Sequence, residues 1–248
     1  MRTITPRLLG EAAEPKPPRL AARLMLITDG VSEPAGAPGA PPLLQRIEAA
    51  LAAAPPGAVV LQLRNKDKAL GGRDLLRLAE RLRERTASHG ALLLVNDRLD
   101  VARIVGADGV HLPSSGLPVG AARRVAGEAL LISAATHSLS EARMAALGGA
   151  DLVTFGPIWP TPSKPLLPKQ SLKQGGVTPR GPEALGETVH AVPVPVFALG
   201  GIDGPARAAA CAAVGARVAC LRAGLSDADC GAAVRGLLAA LSSTPRSM

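Results

Sequence analysis

Polar side chains, glycines and one alanine stand where the short apolar runs of this sequence end. In chain order these residues are Asp29, Gln62, Arg64, Asn96, Asp97, His111, Thr136, His137, Gly156, Gly200, Gly201, Ala223 and Gly224. Amide and cationic side chains can bind anions, a carboxylate can hold a hard cation, and a histidine can transfer a proton. These residues could form one site if the ends of the apolar runs lie together.

An anion site is the first chemistry that the spacing suggests. Gln62, Arg64 and Lys66 occupy alternate positions in QLRNK, so on an extended segment their side chains point the same way. Two cations and an amide on one side suit a diphosphate or a carboxylate. A strand end whose charges are only solvated explains the same spacing equally well.

Two further features could hold ions. Asp97, beside Asn96 in VND, could bind a cation such as Mg²⁺, although it would serve equally well as the N-cap of the next helix. Gly200 and Gly201 in LGGI, like Gly224 in RAGL, would let backbone N–H groups approach a phosphate. The alternative is that these glycines only permit tight turns.

His137 is the candidate acid/base residue. It precedes Ser138 and Glu141, which have the spacing of a capping box, so its ring should lie at the start of a helix. A neutral imidazole there could move a proton to or from a substrate. The alternative is a structural histidine bonded to nearby backbone. His111, between two apolar residues, is expected to pack inside the fold.

The elements that must position these residues alternate regularly. From residue 23 to 243 the sequence gives eight strand-length apolar runs, with helical or alanine-rich segments between and after them. The runs lack polar alternation, which is typical of parallel strands buried on both faces. These features predict a single α/β domain, a (β/α)8 TIM barrel, whose active site lies at the carboxyl ends of its strands. An open doubly wound sheet is the alternative, although no dinucleotide glycine motif supports it.

Composition limits the function and the location. The formal charge of +8 lies mostly on arginines spread over helical segments, and aromatic residues make up only 1%, which argues against nucleic-acid binding. Three cysteines without paired spacing favour a reducing cytoplasm over a disulfide framework. No apolar stretch is long enough to span a membrane, and a homo-oligomer is compatible with the sequence.

We expect the proline-rich residues 1–22 to form a disordered or loosely attached tail, and residues 159–180 to form a long loop.

Motifs from residue 24 to about 225 resemble the thiamine phosphate synthase/TenI superfamily. They include LITD, QLRNK, VNDRLDVARIVGADGVHL, ATHSLSEA, GADLVTFGPIWPTPSK and PVFALGGI. The resemblance implies a (β/α)8 barrel of thiamine biosynthesis that acts on a small phosphorylated thiazole. For a synthase it implies that Gln62 contacts a pyrimidine and that Asp97 is one of two Mg²⁺ ligands. It further implies a set of diphosphate-binding residues, namely Arg64, Lys66, Asn96 and Lys164.

Two positions depart from the synthase pattern. Gly116, in PSSG, stands where the second metal-binding aspartate belongs, and Ala223 stands where a serine would bind phosphate. LPSS instead resembles the TenI branch, whose thiazole tautomerase reaction needs no metal and whose acid/base histidine corresponds to His137. We therefore expect a TenI-like tautomerase. The alternatives are an Mg²⁺-dependent synthase and a non-catalytic, regulatory thiazole-phosphate-binding protein.

Overall fold

The computed structural model describes residues 20–28, 42–65, 70–161, 178–220, 223–225 and 229–242. Eight parallel strands form a closed barrel in chain order, and eight helices alternate with them, which confirms the predicted TIM barrel. The strands are β1 Leu24–Ile27, β2 Val59–Leu63, β3 Leu92–Asn96, β4 Gly109–Leu112, β5 Leu131–Thr136, β6 Leu152–Phe155, β7 Val196–Leu199 and β8 Arg217–Cys220. The helices are α1 Leu43–Ala52, α2 Gly72–Ser88, α3 Leu99–Ile104, α4 Val119–Ala126, α5 Leu139–Leu147, α6 Gly181–Ala191, α7 Pro205–Ala213 and α8 Cys230–Ser242.

The barrel has an apolar core on both sides of its strands. Outward-facing residues pack under the helices, and a second cluster fills the lumen, with Met25, Val60, Leu94, Leu131, Leu152, Phe197 and Ala219 among its members. Burial on both faces explains why the strands are almost uniformly apolar. Because side chains alternate along a strand, residues two positions beyond Val60 and Leu94 face the same lumen. The polar residues of the site therefore begin directly above this apolar layer.

Carboxylates hold the amino-terminal ends of two strands. Asp151, just before β6, accepts the backbone N–H of Ile132 at 2.8 Å and forms an ion pair with Arg123. Asp108, just before β4, likewise accepts a backbone N–H from β3 and pairs with an arginine of α2. These contacts fix neighbouring strands at the end of the barrel opposite the predicted site, where such residues act on stability.

The packed barrel begins before residue 23, the boundary that the sequence suggests. Ala22 is fully buried in the lumen cluster, and its carbonyl accepts a hydrogen bond of 2.8 Å from Arg217 on β8. Residues 20–22 therefore pack on the barrel, because small apolar side chains can close its amino-terminal end. The rest of the tail prediction concerns residues 1–19, which lie outside the described residues.

The ends of the predicted long loop are anchored. The backbone N–H of Arg180 donates to the carbonyl of Pro157 at 2.8 Å, and that of Gly181 donates to the carbonyl of Ile158 at 3.1 Å. The chain thus leaves and rejoins the barrel at one place after β6. Residues 162–177 between these ends lie outside the described residues. No helix in the described parts of the chain is both long and apolar enough to cross a membrane.

Candidate active site

Gln62 and Asn96 form an amide pair at the carboxyl end of the lumen. Gln62 follows Val60 on the lumen side of β2 and is 1% exposed, and its Nε2 donates to Asn96 Oδ1 at 3.0 Å. Gln62 Oε1 is buried and accepts no hydrogen bond from the described part of the chain. A buried carbonyl oxygen without a donor is costly, so this atom is suited to accept a hydrogen bond from a ligand.

Arg64 brings a positive charge to the same opening. Its backbone N–H donates to the Thr28 hydroxyl at 2.8 Å, and that hydroxyl donates to the Arg64 carbonyl at 2.8 Å. The two bonds extend β2 past its last residue, so Arg64 lies on the same side as Gln62. Thr28 is a positioning residue that the sequence did not reveal. Lys66, two residues further on, lies outside the described residues.

His111 lies in the barrel below this opening, as the sequence predicted. It is 5% exposed, and its Nδ1 lies 2.8 Å from Ser133 Oγ on β5. Burial, together with the nearby positive charge of Arg64, lowers the pKa of His111 from its ordinary value to about 4. The ring is therefore neutral at physiological pH, and the positive charge at this opening comes from Arg64 rather than from the histidine.

Asp97 and Gly116 meet at the mouth of the barrel. A Cβ added to Gly116 would lie 2.8 Å from Asp97 Oδ1. Asp97 has φ 61°, unusual for a residue with a side chain, and its N–H donates to the His111 carbonyl at 2.8 Å. The residue at the N-cap of α3 is Arg98, without a side-chain capping bond, so the N-cap explanation of Asp97 is wrong. Left-handed backbone at such a position is often associated with function.

The mouth of the barrel offers few side chains that could bind a metal ion. No cluster of three or more histidine, cysteine, aspartate or glutamate side chains that could hold a metal occurs in the described ranges. Mg²⁺, however, is commonly bound through one or two carboxylates together with waters and substrate phosphates. Asp97 fits that kind of site, with a phosphorylated substrate completing the coordination.

His137 has the predicted surroundings. Ser138 Oγ accepts the Glu141 N–H at 3.2 Å, and Glu141 Oε2 accepts the His137 N–H at 2.7 Å, which confirms the capping box. The ring Nδ1 donates to the Gly156 carbonyl. In the neutral ring the proton therefore lies on Nδ1, and the lone pair of Nε2 is left to accept one. The half-buried ring shares the lumen-facing alternation of β5 with Ser133.

Thr136 does not join the other predicted residues. It alternates with the lumen-facing residues of β5, so its side chain lies on the helix side of the sheet. It is 3% exposed, and its hydroxyl donates to the Thr154 carbonyl at 2.9 Å. The structure thus separates Thr136 from His137, although the two are adjacent in sequence.

The glycine turn after β7 is compatible with both explanations of its glycines, a tight turn and backbone N–H groups for an anion. Gly200 and Gly201 have φ values of 102° and 69°, and added Cβ atoms would lie 2.6 Å from Pro157 Cβ and 2.7 Å from the Pro160 carbonyl oxygen. Glycine is therefore required for the turn and for its close packing. In the described part of the chain no hydrogen bond uses the N–H of either glycine, so both donors remain for an anion.

The segment after β8 is closely packed as well. A Cβ on Gly224 would lie 2.5 Å from Leu26 Cδ2, which explains the glycine by contact with β1. Ala223 precedes it and offers no hydroxyl. Any anion contact at this turn would have to come from backbone N–H groups. Lys164, the other predicted anion ligand, lies outside the described residues.

The comparisons with known proteins agree with this geometry. A family profile described as thiamine monophosphate synthase matches residues 24–225. The chain belongs to this family. A putative thiamine-phosphate synthase of Geobacter sulfurreducens is 42% identical over 199 residues, covering 80% of this chain and 87% of the relative. A thiamine-phosphate synthase of Methanoculleus marisnigri is 44% identical over 185 residues, covering 75% and 82%.

A solved structure supports the same assignment. The thiamine phosphate pyrophosphorylase of Pyrococcus furiosus superposes with a TM-score of 0.72 at 28% identity, covering 90% of this chain and 96% of the other. The chain is accordingly an enzyme of thiamine biosynthesis. The expectation of the tautomerase branch is not supported by these relatives, which carry the synthase name.

Proposed function

We propose that this enzyme is a thiamine-phosphate synthase, which couples a pyrimidine diphosphate to a thiazole phosphate and releases pyrophosphate. The observation that carries the proposal is the unpartnered Oε1 of Gln62 in the lumen. An amino-substituted pyrimidine offers an N–H donor that would satisfy this acceptor and orient the ring. A tautomerase that handles only a thiazole has no such requirement for an amide at this place.

The charged residues at the mouth suit the leaving group. In the coupling, the carbon–oxygen bond to the diphosphate breaks and the thiazole nitrogen bonds to the same carbon. Arg64 lies on the substrate side of β2, and the Nδ2 of Asn96 is left as a donor because its Oδ1 accepts from Gln62. Both groups would bind diphosphate oxygens, together with the predicted Lys66 and Lys164.

Asp97 is the residue of this chain that would hold Mg²⁺. When bound, the ion neutralises negative charge on the diphosphate and so favours its departure. The family pattern has a second aspartate where this chain has Gly116, which lies against Asp97. We infer that water and diphosphate oxygens replace that second carboxylate here.

The glycine turn after β7 suits the phosphate of the thiazole substrate. Gly200 and Gly201 lie in the turn between β7 and α7, and no hydrogen bond among the described residues uses their N–H groups. This turn is a usual phosphate position in TIM barrels. Gly224 would add backbone donors from the neighbouring turn. Ala223 could contribute to phosphate binding only through its backbone N–H.

The geometry of His137 favours a second candidate function, a thiazole tautomerase. Its Nδ1–H is fixed by the Gly156 carbonyl, which directs the basic Nε2 away from that bond. A single base of this kind could remove a proton from one atom of the thiazole and return it to another. This reaction needs no metal.

Two matched variants separate the functions. We expect the wild-type enzyme to form thiamine phosphate only with Mg²⁺, and Asp97→Asn to lose about 100-fold or more of this activity. Asparagine tolerates the left-handed backbone, so this variant should fold normally. His137→Gln should retain synthase activity within about tenfold, because the proposed coupling does not use His137 as an acid/base. Loss of a general acid/base would typically cost about 100-fold or more.

The opposite pattern would reject the synthase. Absence of thiamine phosphate, with tautomerisation of a carboxylated thiazole phosphate that His137→Gln abolishes, would assign the second function. Binding of thiazole phosphate by calorimetry without either reaction would instead identify a binding protein.

A further inference from the structure

Arg207, on the first turns of α7, joins three segments beside the glycine turn. Its Nη1 donates to the Gly201 carbonyl at 2.5 Å and to Asp203 Oδ2 at 2.8 Å. Its guanidinium also lies over the Trp159 ring, 5.3 Å from the ring centre. One side chain thus connects the turn after β7, the start of α7 and the segment that follows β6.

The same turn has three successive carbonyls held by hydrogen bonds. The Ile158 N–H binds the Leu199 carbonyl at 3.0 Å, and the Trp159 N–H binds the Gly200 carbonyl at 3.1 Å. Arg207 binds the third, that of Gly201. The first two bonds come from backbone, and only the third depends on a side chain.

Holding these carbonyls fixes the direction of the N–H groups that follow them. In a trans peptide, the C=O of one residue and the N–H of the next point in opposite directions. The bonds to the carbonyls of Leu199 and Gly200 therefore orient the N–H groups of Gly200 and Gly201 away from the segment after β6. The bond to the Gly201 carbonyl orients the Ile202 N–H away from the Arg207 guanidinium. No hydrogen bond within the described ranges uses these three donors. Successive free N–H groups form a concave site for an anion.

We propose that Arg207 is a positioning residue for phosphate binding. It holds the Gly201 carbonyl, so that the Ile202 N–H points to the phosphate, and its contact with Trp159 ties this turn to the segment after β6. The Nη1 of Arg207 is bound to Gly201 and Asp203, so in this proposal Arg207 acts on the phosphate through the backbone that it holds. The inference rests on the proposed function, since the phosphate is taken to be that of the thiazole substrate.

The test compares Arg207→Met and Arg207→Lys with Arg77→Met. Arg77 is a suitable control because it lies on α2, is 68% exposed and, like Arg207, pairs with a nearby aspartate. Binding of thiazole phosphate and of inorganic phosphate is measured by calorimetry, and KM is measured for both substrates. Folding is compared by thermal unfolding.

We expect Arg207→Met to weaken binding of thiazole phosphate and of inorganic phosphate by the same factor, about 10- to 100-fold. KM for the pyrimidine diphosphate and kcat at saturation should stay within about twofold. The phosphate contact is lost equally from the ground state and the transition state, so its loss raises only KM for the thiazole phosphate. Arg207→Lys should recover part of the affinity, since an ammonium can still donate to the Gly201 carbonyl. Arg77→Met should change nothing.

Other outcomes overturn the inference. Unchanged phosphate affinity in Arg207→Met would show that the turn does not need Arg207. No phosphate binding by the wild-type enzyme would show that the turn is not a phosphate site. Equal weakening of both substrates would indicate general damage to the barrel. Failure of the proposed function is distinguishable, because wild-type enzyme would then make no thiamine phosphate while calorimetry still reports on phosphate binding.

Discussion

Replacing Gln62 with methionine should stabilise the ligand-free enzyme while damaging its activity. Gln62 is 1% exposed and its Oε1 has no donor among the described residues. An unpaired buried acceptor costs about 1–3 kcal/mol, whereas the bond from Nε2 to Asn96 contributes about 1 kcal/mol. Methionine is also unbranched and fills irregular space, so repacking should cost little. Asn96 is partly exposed, and water can replace its lost partner.

The net expectation is a gain of about 0–2 kcal/mol in the free energy of unfolding. For a domain of this size, each kcal/mol corresponds to a rise of about 2–4 °C in Tm. The same variant cannot accept a hydrogen bond from the pyrimidine. We expect its kcat/KM for the pyrimidine diphosphate to fall by about 100-fold or more, since sites built around a buried polar contact depend strongly on it.

Thermal unfolding of the ligand-free protein and steady-state kinetics for each substrate measure the two effects. Gln45→Met is the matched control, because Gln45 is exposed on α1 and should change neither quantity. A Tm at least a few degrees lower for Gln62→Met, with an unchanged KM for the pyrimidine diphosphate, would refute the reasoning. It would mean that Oε1 is already satisfied by bound water and that the pyrimidine lies elsewhere.

Three further predictions follow from the site and the strands below it. Gly116→Asp adds a carboxylate beside Asp97, and the Asp97 side chain and the Pro113 ring must shift to admit its Cβ. The variant should lower the Mg²⁺ concentration for half-maximal synthase activity roughly tenfold, as a titration of rate against Mg²⁺ would show. Because the pKa of His111 is lowered to about 4 in the folded protein, the unfolded chain binds more protons between pH 6.5 and 4. The free energy of unfolding should therefore fall by about 3 kcal/mol as the pH drops through that range, and urea unfolding should show a smaller fall in His111→Gln. Asp151→Asn weakens the contact with Arg123 and should cost about 1–3 kcal/mol by thermal unfolding, with kcat unchanged because the contact lies at the opposite end of the barrel.

The barrel and much of its mouth could be predicted because the signals are local. A strand buried on both faces is an apolar run, and the first polar residue after it must lie at the end of the barrel. The alternation that correctly groups Gln62 with Arg64 also separates Thr136 from His137. The sequence grouped Thr136 with the site because it stands at a strand end. A strand end alone does not say which face of the sheet a side chain occupies.

Other features of the site arise from contacts between separate loops, which leave no pattern in the sequence. The family resemblance singles out Gly116 as a missing carboxylate, but only the fold shows that it lies against Asp97. Arg207 resembles the many arginines on solvated helix faces, and only its contacts with Gly201 and Trp159 distinguish it. Arg207 needs tertiary structure to be found, because Trp159 comes from a different β/α unit.

The phosphate anchor cannot decide between the two candidate reactions, because a synthase and a tautomerase both bind a thiazole phosphate. The decision rests on residues that only one reaction needs. Gln62 keeps a buried acceptor unsatisfied in the described lumen, at a cost to stability that a thiazole alone gives no reason to retain. A pyrimidine that donates to this oxygen would recover that cost on binding. Under the proposed synthase function, a glycine at position 116 would remove one metal contact, whereas the Gln62 amide would fit the pyrimidine specifically.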